Sequence, residues 1–435
     1  MASRTTRPSP LYRRLPRGPH GLEREQVRRH QRLRLHGAMI EAVCRRGYDA
    51  TSVAEVSALA GVSRRAFYES FSGKEDCFLA TYDVVVARAR KLVTDAWAGE
   101  RSRGSRRHAA LKALLDDVAR SPKPPKLVLV EAPAVRASVR ERIVLSEHSF
   151  DRIAGVAFRA AAEHRELPRF NHGAIIAGVR HLLALRLCER RESELAGLTD
   201  EVLDWWEAYD RTPPAVHRVL GEGTAHETVP VGFLSAGDER SRALRSIVQH
   251  TLDRGYRQLT DAQIAERAGI SPQAFRRLFA DRQECFLAAL TEIEREALGR
   301  VQESAGDAAC WAEAVCRGID AFVDYAVSHA GLMRLAYRDV FEVGPAALDR
   351  MARPAQGLWE LLAVGAPRPQ RAAMIVADVV SGAVWGTVSS CILADRVARL
   401  DDLVGQLRFL VLAPYIGAGR AVEAIETYPR RAARA

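Results

Sequence analysis

Arg64, Arg65, Tyr68 and Glu69 surround Phe67, and Phe71 follows four residues after it. Residues four apart share one face of a helix, so burying the two phenylalanines turns Arg64, Arg65, Tyr68 and Glu69 outward. Guanidinium groups displayed in this way can make bidentate hydrogen bonds to guanine, and a tyrosine hydroxyl suits phosphate. Residues 272–282 hold a second set, with Gln273, Arg276, Arg277 and Arg282 around Phe275 and Phe279. Glutamine pairs with adenine, so the two sets are expected to prefer different bases. Lys74 opens the next helix of the first set, where N-terminal amides favour a phosphate. Thr51, ahead of the first set, is grouped with these candidates. The chemistry is nucleic-acid recognition.

The elements that must position these residues occur twice. Residues 47–80 and 255–288 align without a gap at an offset of 208, with 13 of 34 positions identical. The offset continues to give pairs beyond them: Asp116 with Asp324, Leu127 with Leu335, Glu131 with Asp339, Arg142 with Arg350. In each copy an apolar helical run ends at Gly-Tyr, where glycine supplies the left-handed conformation that stops a helix. Ser52 with Glu55 and Thr260 with Gln263 then read as capping boxes. The short helices they start stop at Gly61 and Gly269. Ser63 and Ser271 follow as caps of a third helix, with Pro272 at its first position, where an amide is not needed. Two short helices joined by a glycine turn, the second displaying arginines, predict a helix-turn-helix in each copy.

The run Gly47-Tyr48, Thr51-Ser52-Val53, Ala60-Gly61-Val62-Ser63, Phe67-Tyr68, Phe71 and Lys74-Glu75 resembles the DNA-binding domain of the tetracycline-repressor (TetR/AcrR) family. The second copy resembles it more loosely. It keeps Gly255-Tyr256, Ala268-Gly269-Ile270-Ser271, Phe275 and Phe279, and departs at Leu259-Thr260-Asp261, Arg276 and Arg282. Leu127–Ala137 and Arg334–Leu348 resemble the family's regulatory region. The resemblance implies an all-α protein, normally a homodimer, with a small-molecule pocket in its larger C-terminal domain. Here two such units are expected in tandem, packed as an intramolecular pseudo-dimer.

The domains expected are a basic disordered arm (1–23), a first helix-turn-helix domain (24–82), a first regulatory domain (83–210), a linker (211–239), a second, divergent helix-turn-helix domain (240–290), a second regulatory domain (291–425) and a basic tail (426–435). Family dimers use their last two long helices. The corresponding segments are 172–188 with 199–210 and 370–394 with 400–417. Val202, Leu203, Trp205, Trp206 and Tyr209 are expected to meet Leu403, Leu407, Phe409, Leu410 and Leu412 in a four-helix contact.

Composition narrows the function further. The chain has 435 residues, 48% of them hydrophobic and 27% charged, which excludes a wholly disordered chain. No run approaches the ~18 consecutive apolar residues of a membrane span. Net charge is +10, and residues 1–46 hold twelve arginines against three glutamates, a basic arm beside a folded unit such as nucleic-acid binders carry. Seven scattered cysteines suit a reducing cytoplasm, and Cys77 and Cys285 occupy matching core positions. Phosphate loops, zinc helices and nucleophile elbows are absent from the sequence, so no enzyme, cofactor or metal is expected. In the second regulatory domain Phe322, Tyr325, Met333, Tyr337, Trp359 and Trp385 are candidates to line a hydrophobic effector pocket. The Arg101–Arg107 run and a Pro122–Pro125 loop are expected to be exposed.

These features predict a cytoplasmic, sequence-specific transcriptional regulator, a repressor released from a double-stranded operator with two unlike half-sites by a hydrophobic ligand. One chain would bind as a monomeric pseudo-dimer, with further dimerisation as a second level. The alternatives are a constitutive architectural DNA-binding protein, or a regulator whose second helix-turn-helix is a scaffold that does not touch DNA.

Overall fold

Capping side chains and left-handed glycines set the helix ends. The computed structural model describes residues 24–132, 135, 170–209, 237–343, 366 and 370–429, and among them every regular element is a helix. The described residues fall into two units, one of 24–132 with 186–197 and the other of 170–185, 198–209 and the residues from 237 onward.

In the first unit α1 (Arg24–Arg46) ends at Gly47, at φ 78°. α2 (Val53–Ala60) starts on Ser52, whose side chain accepts from the Glu55 amide, and stops at Gly61, at φ 59°. α3 (Arg64–Tyr68) starts on Ser63, whose side chain accepts from the Ala66 amide. Any residue with a Cβ would be strained at these two glycines. α4 (Lys74–Ala98) and α5 (Arg103–Arg120) pack as a long pair. Met39, Val43, Tyr48, Val56, Phe67, Phe71 and Phe78 form one core across α1 to α4. Three expectations change here. Glu55 does not close a capping box, because its carboxylate pairs with Arg45 of α1. The Pro122–Pro125 loop is instead a helical turn, α6 (Lys123–Lys126), with its prolines in the first turn, where amides lack intrahelical acceptors. Arg107, at the end of the arginine run, is buried.

The second unit contains α7 (Phe170–Cys188) as far as Leu185, and α8 (Thr199–Glu207). After these come α9 (Glu239–Arg254), α10 (Asp261–Ala268), α11 (Pro272–Leu278), α12 (Arg282–Gly306), α13 (Trp311–Ser328) and α14 (Ala330–Tyr337). α15 (Gln370–Leu393), α16 (Val404–Ile416) and α17 (Ala418–Thr427) complete it. α10, α12 and α13 begin and end 208 residues after α2, α4 and α5, to the residue. Caps recur with them: Thr260 closes a full capping box with Gln263, Gly269 stands at φ 65°, and the Ser271 side chain accepts from the Ala274 amide.

Ile375–Leu393 is long and apolar enough to cross a membrane by length and composition, the one such stretch among the described residues. It is interrupted by Asp378, Ser381, Thr387, Ser389 and Ser390, and more than half of it is buried within this unit. α15 packs on α8, α14 and α16. Three glycines bring it against α7 as well. A Cβ on Gly178 would lie 2.5 Å from the Val379 carbonyl oxygen and 2.7 Å from the Trp205 ring, and Cβ atoms on Gly382 and Gly386 would run into His181 and Ala177. Alongside, the Tyr209 hydroxyl donates to the Leu410 carbonyl at 2.8 Å and its ring lies 6.1 Å from Phe409. The second unit is also held by a buried charge. Arg408 of α16 pairs with Asp320 of α13 (Nε to Oδ1, 3.0 Å) and donates to the Tyr428 carbonyl at 2.8 Å.

Candidate nucleic-acid interface

α3 presents its candidates as the helical phase requires. Phe67 and Phe71 are buried, their rings 5.7 Å apart. Arg64, Arg65 and Glu69 are exposed, and Tyr68 is 58% exposed, unusual for so large an aromatic surface. The Arg65 Nε donates to Glu69 Oε1 at 3.2 Å, one helical turn on. Two candidates take other places. Thr51 is buried, and its hydroxyl donates to the Gly47 carbonyl at 2.8 Å, fixing the turn between α1 and α2. Lys74 is half-buried, donates from Nζ to the Tyr48 carbonyl at 2.9 Å and lies 4.2 Å over the Tyr48 ring. Such a cation–π contact binds the start of α4 to the same turn.

α11 repeats the geometry with other chemistry. Phe275 and Phe279 are buried, again 5.7 Å apart, while Gln273, Arg276 and Arg277 are exposed. Arg277 reaches Glu239 of α9 at 3.6 Å. Arg282 does what Lys74 does: it donates to the Leu259 carbonyl and lies 5.1 Å over the Tyr256 ring.

Four positioning arginines were missed in the sequence. Arg34 donates to the Gly61 carbonyl at 3.1 Å, and Arg242 to the Ala268 carbonyl at 3.0 Å, so each clamps α1 or α9 to the glycine turn before α3 or α11. Arg32 lies 5.4 Å over Phe71 and Arg240 lies 5.7 Å over Phe279. Each pair is separated by 208. Extending the repeat toward the N-terminus would have shown them. Cys77 and Cys285 are fully buried, and burial pushes the Cys77 thiol up to about 12 and the Cys285 thiol up as well, so both remain protonated core residues.

Of the effector candidates, Phe322 and Tyr325 on α13 and Met333 and Tyr337 on α14 are buried. Tyr337 stacks on half-buried Trp385 of α15 at 3.9 Å, and Tyr325 stacks on His329 at 4.4 Å. Among the described residues the buried Tyr325 hydroxyl has no hydrogen-bond partner, and burial raises its pKa, so it is an uncharged donor. Trp359 lies outside the described residues. Among the described residues no cluster of His, Cys, Asp or Glu is placed to hold a metal.

Comparison with known proteins agrees with this geometry at the first helix-turn-helix. No curated protein matches the chain. Among solved structures it is similar to the fatty acid degradation regulator FadR of Bacillus halodurans, at 14% identity and a TM-score of 0.39, over 40% of this chain and 94% of that one. FadR of Bacillus subtilis, solved in complex with stearoyl-CoA, gives 14% identity and a TM-score of 0.36, over 40% and 96%. A TetR-like regulator from Rhodococcus sp. RHA1 gives 18% identity and a TM-score of 0.31, over 40% and 96%. Residues 41–81 match the family described as bacterial regulatory proteins, tetR family. The matched segment holds Ser52, Gly61, Ser63 and the exposed Arg64, Arg65 and Tyr68. Residues 41–81 are therefore similar to the N-terminal domain of tetR-family regulators.

Proposed function

We propose that this chain is a sequence-specific transcriptional repressor built of two TetR-like units in tandem, packed as an intramolecular pseudo-dimer on one operator with two unlike half-sites. The observation that carries this reading is the capped helix α3 with its exposed Arg64, Arg65 and Tyr68, repeated in α11 with Gln273, Arg276 and Arg277. The coincidence of helix bounds at 208 residues supports the tandem. The pairing of Tyr209 with Phe409 and Leu410 supports the pseudo-dimer. A cytoplasmic location follows from this role. Release would come from a hydrophobic small molecule in the second regulatory domain, among Phe322, Tyr325, Met333, Tyr337, Trp359 and Trp385, with the Tyr325 hydroxyl awaiting an acceptor. The ligand would shift the population away from the conformer whose two recognition helices fit successive major grooves.

Selection of bound DNA fragments with the purified chain tests the reading. One imperfect site with two unlike halves, bound by a single 48.0 kDa chain, is the expected result; a perfect palindrome bound by two chains overturns it. On the recovered site, Arg65→Ala is expected to weaken binding by ~1–3 kcal/mol and relax preference at one position, as loss of a bidentate base contact does. Deleting residues 1–22 removes Arg4, Arg7, Arg13, Arg14 and Arg17 and no acid. This truncation is expected to weaken binding to every duplex alike and flatten the salt dependence, because fewer counterions are released. An unchanged salt slope would show that the arm leaves phosphate alone.

A further inference from the structure

The two recognition helices differ most in charge at one matched position. α3 is followed by Glu69, an exposed carboxylate, and 208 residues later α11 carries Arg277. A carboxylate on a surface that approaches DNA repels phosphate and weakens binding to any duplex. Glu69 sits there nonetheless, in contact with Arg65. Its Oε1 takes the Nε hydrogen of Arg65 at 3.2 Å, which engages one edge of the guanidinium and leaves the two terminal nitrogens available to another acceptor. An exposed pair one turn apart adds little to folding. Its effect is on the geometry of Arg65, since a planar fork reads guanine only when correctly aimed.

α11 lacks this arrangement. Its sequence, Pro-Gln-Ala-Phe-Arg-Arg-Leu, contains no carboxylate. Pro272 stands where α3 has Arg64, and Arg276 and Arg277 are neighbours, so they point about 100° apart around the helix. They cannot address one base together, but they can reach phosphates on the two walls of a groove. Among the described residues Arg277 pairs with Glu239, on a different helix and at 3.6 Å, beyond a firm hydrogen bond.

We infer that Glu69 is a specificity-determining residue: it aims Arg65 and repels unselected phosphate, making α3 the sequence-reading helix, while α11 is a sequence-tolerant phosphate clamp. The inference rests on the DNA-binding reading above. An operator would then be strictly specified in one half and loosely in the other.

The test uses the full chain and compares the selected site with a random duplex across a salt series, for wild type, Glu69→Gln, Glu69→Asp and Arg277→Gln. All three substitutions are at exposed positions, and circular dichroism checks that each variant keeps its helices. Glu69→Gln removes one repulsive charge and is expected to raise affinity for random DNA about fivefold near 0.15 M salt, without raising affinity for the selected site. The ratio of the two affinities falls. Glu69→Asp keeps the repulsion and is expected to keep random binding at the wild-type level. Arg277→Gln is expected to weaken both duplexes about equally and lower the salt slope by roughly one, leaving every base preference intact. The inference is overturned if Glu69→Gln leaves the affinity ratio unchanged, or if Arg277→Gln relaxes preference at a single base. Failure of the underlying reading is distinguishable, since wild type would then enrich no site before any variant is made.

Discussion

Gly382→Val is expected to lower the stability of the second unit by about 3 kcal/mol or more, at the upper end of what overpacking does. Gly299→Ala, by contrast, should raise it by roughly 0.5–1 kcal/mol, the usual advantage of alanine inside a helix. The two glycines have different surroundings. A Cβ at Gly299 meets nothing within 4 Å, whereas one at Gly382 runs into the Cβ and Cγ of His181 and lies 3.0 Å from the Ala177 carbonyl oxygen. These are backbone or backbone-proximal atoms, so no rotamer change relieves the clash. α7 and α15 must separate, and Gly178 against Val379 and Gly386 against Ala177 separate with them. Denaturant midpoints read by fluorescence of Trp205, which is fully buried beside this seam, measure the loss. If Gly382→Val behaves like Gly299→Ala, the seam is not packed as described.

The seam bears on the proposed function through its symmetry. Gly178 and Gly386 are 208 residues apart, so in the tandem proposed above each repeat would contribute an equivalent glycine to one helix contact, as a two-fold interface requires. In the proposed pseudo-dimer such a contact would keep two half-site readers on one body. Gly382→Val should therefore weaken binding to a complete operator more than binding to an isolated half-site, because joint engagement raises the effective concentration of the second reader.

Local chemistry made much of this structure readable in advance, and distant packing hid the rest. The helix stops at Gly61 and Gly269 and the caps at Ser52, Ser63, Thr260 and Ser271 depend on residues within four positions of one another. Phase alone then turned Arg64, Arg65, Gln273, Arg276 and Arg277 outward. Lys74 went elsewhere because a partner distant in sequence, the Tyr48 carbonyl in the turn after α1, competes for it, whereas Thr51 is taken locally by the Gly47 carbonyl. Glu55 left its capping box for the same reason, since Arg45 offers a full charge where the cap offers one amide. No spacing rule could place Trp205 over Gly178, because that contact depends on how two helices cross.

Acid is expected to loosen the first helix-turn-helix domain through one buried histidine, His36 of α1. Its Nδ1 lies 2.8 Å from the Thr81 hydroxyl oxygen, and that hydroxyl donates to the Cys77 carbonyl at 2.6 Å. The threonine oxygen must therefore accept from Nδ1–H, so the neutral ring carries its proton on Nδ1. Phe71 lies edge-on to the ring at 5.6 Å, and burial, aided by the Arg32 charge, lowers the imidazole from 6.5 to about 4. The folded state thus resists a proton that the unfolded chain accepts. Stability is complete above pH 6.5 and falls as pH drops toward 4, by about 3 kcal/mol in all. The second copy supplies the control. At the matching positions it has Leu244 and Ala289, both buried, an apolar pair with nothing to titrate. His36→Leu with Thr81→Ala installs that pair in the first domain and should remove this part of its acid sensitivity. His250 of α9 is also lowered by burial, so the second domain has an acid response of its own. The comparison must accordingly be made within α1 to α4, wild type against variant. Amide hydrogen exchange at pH 7 and near pH 4.5, corrected for intrinsic rates, reads it directly. Protection in α1 to α4 should drop on acidification in the wild type and drop less in the double variant. Equal losses in both proteins would mean that His36 does not govern the response.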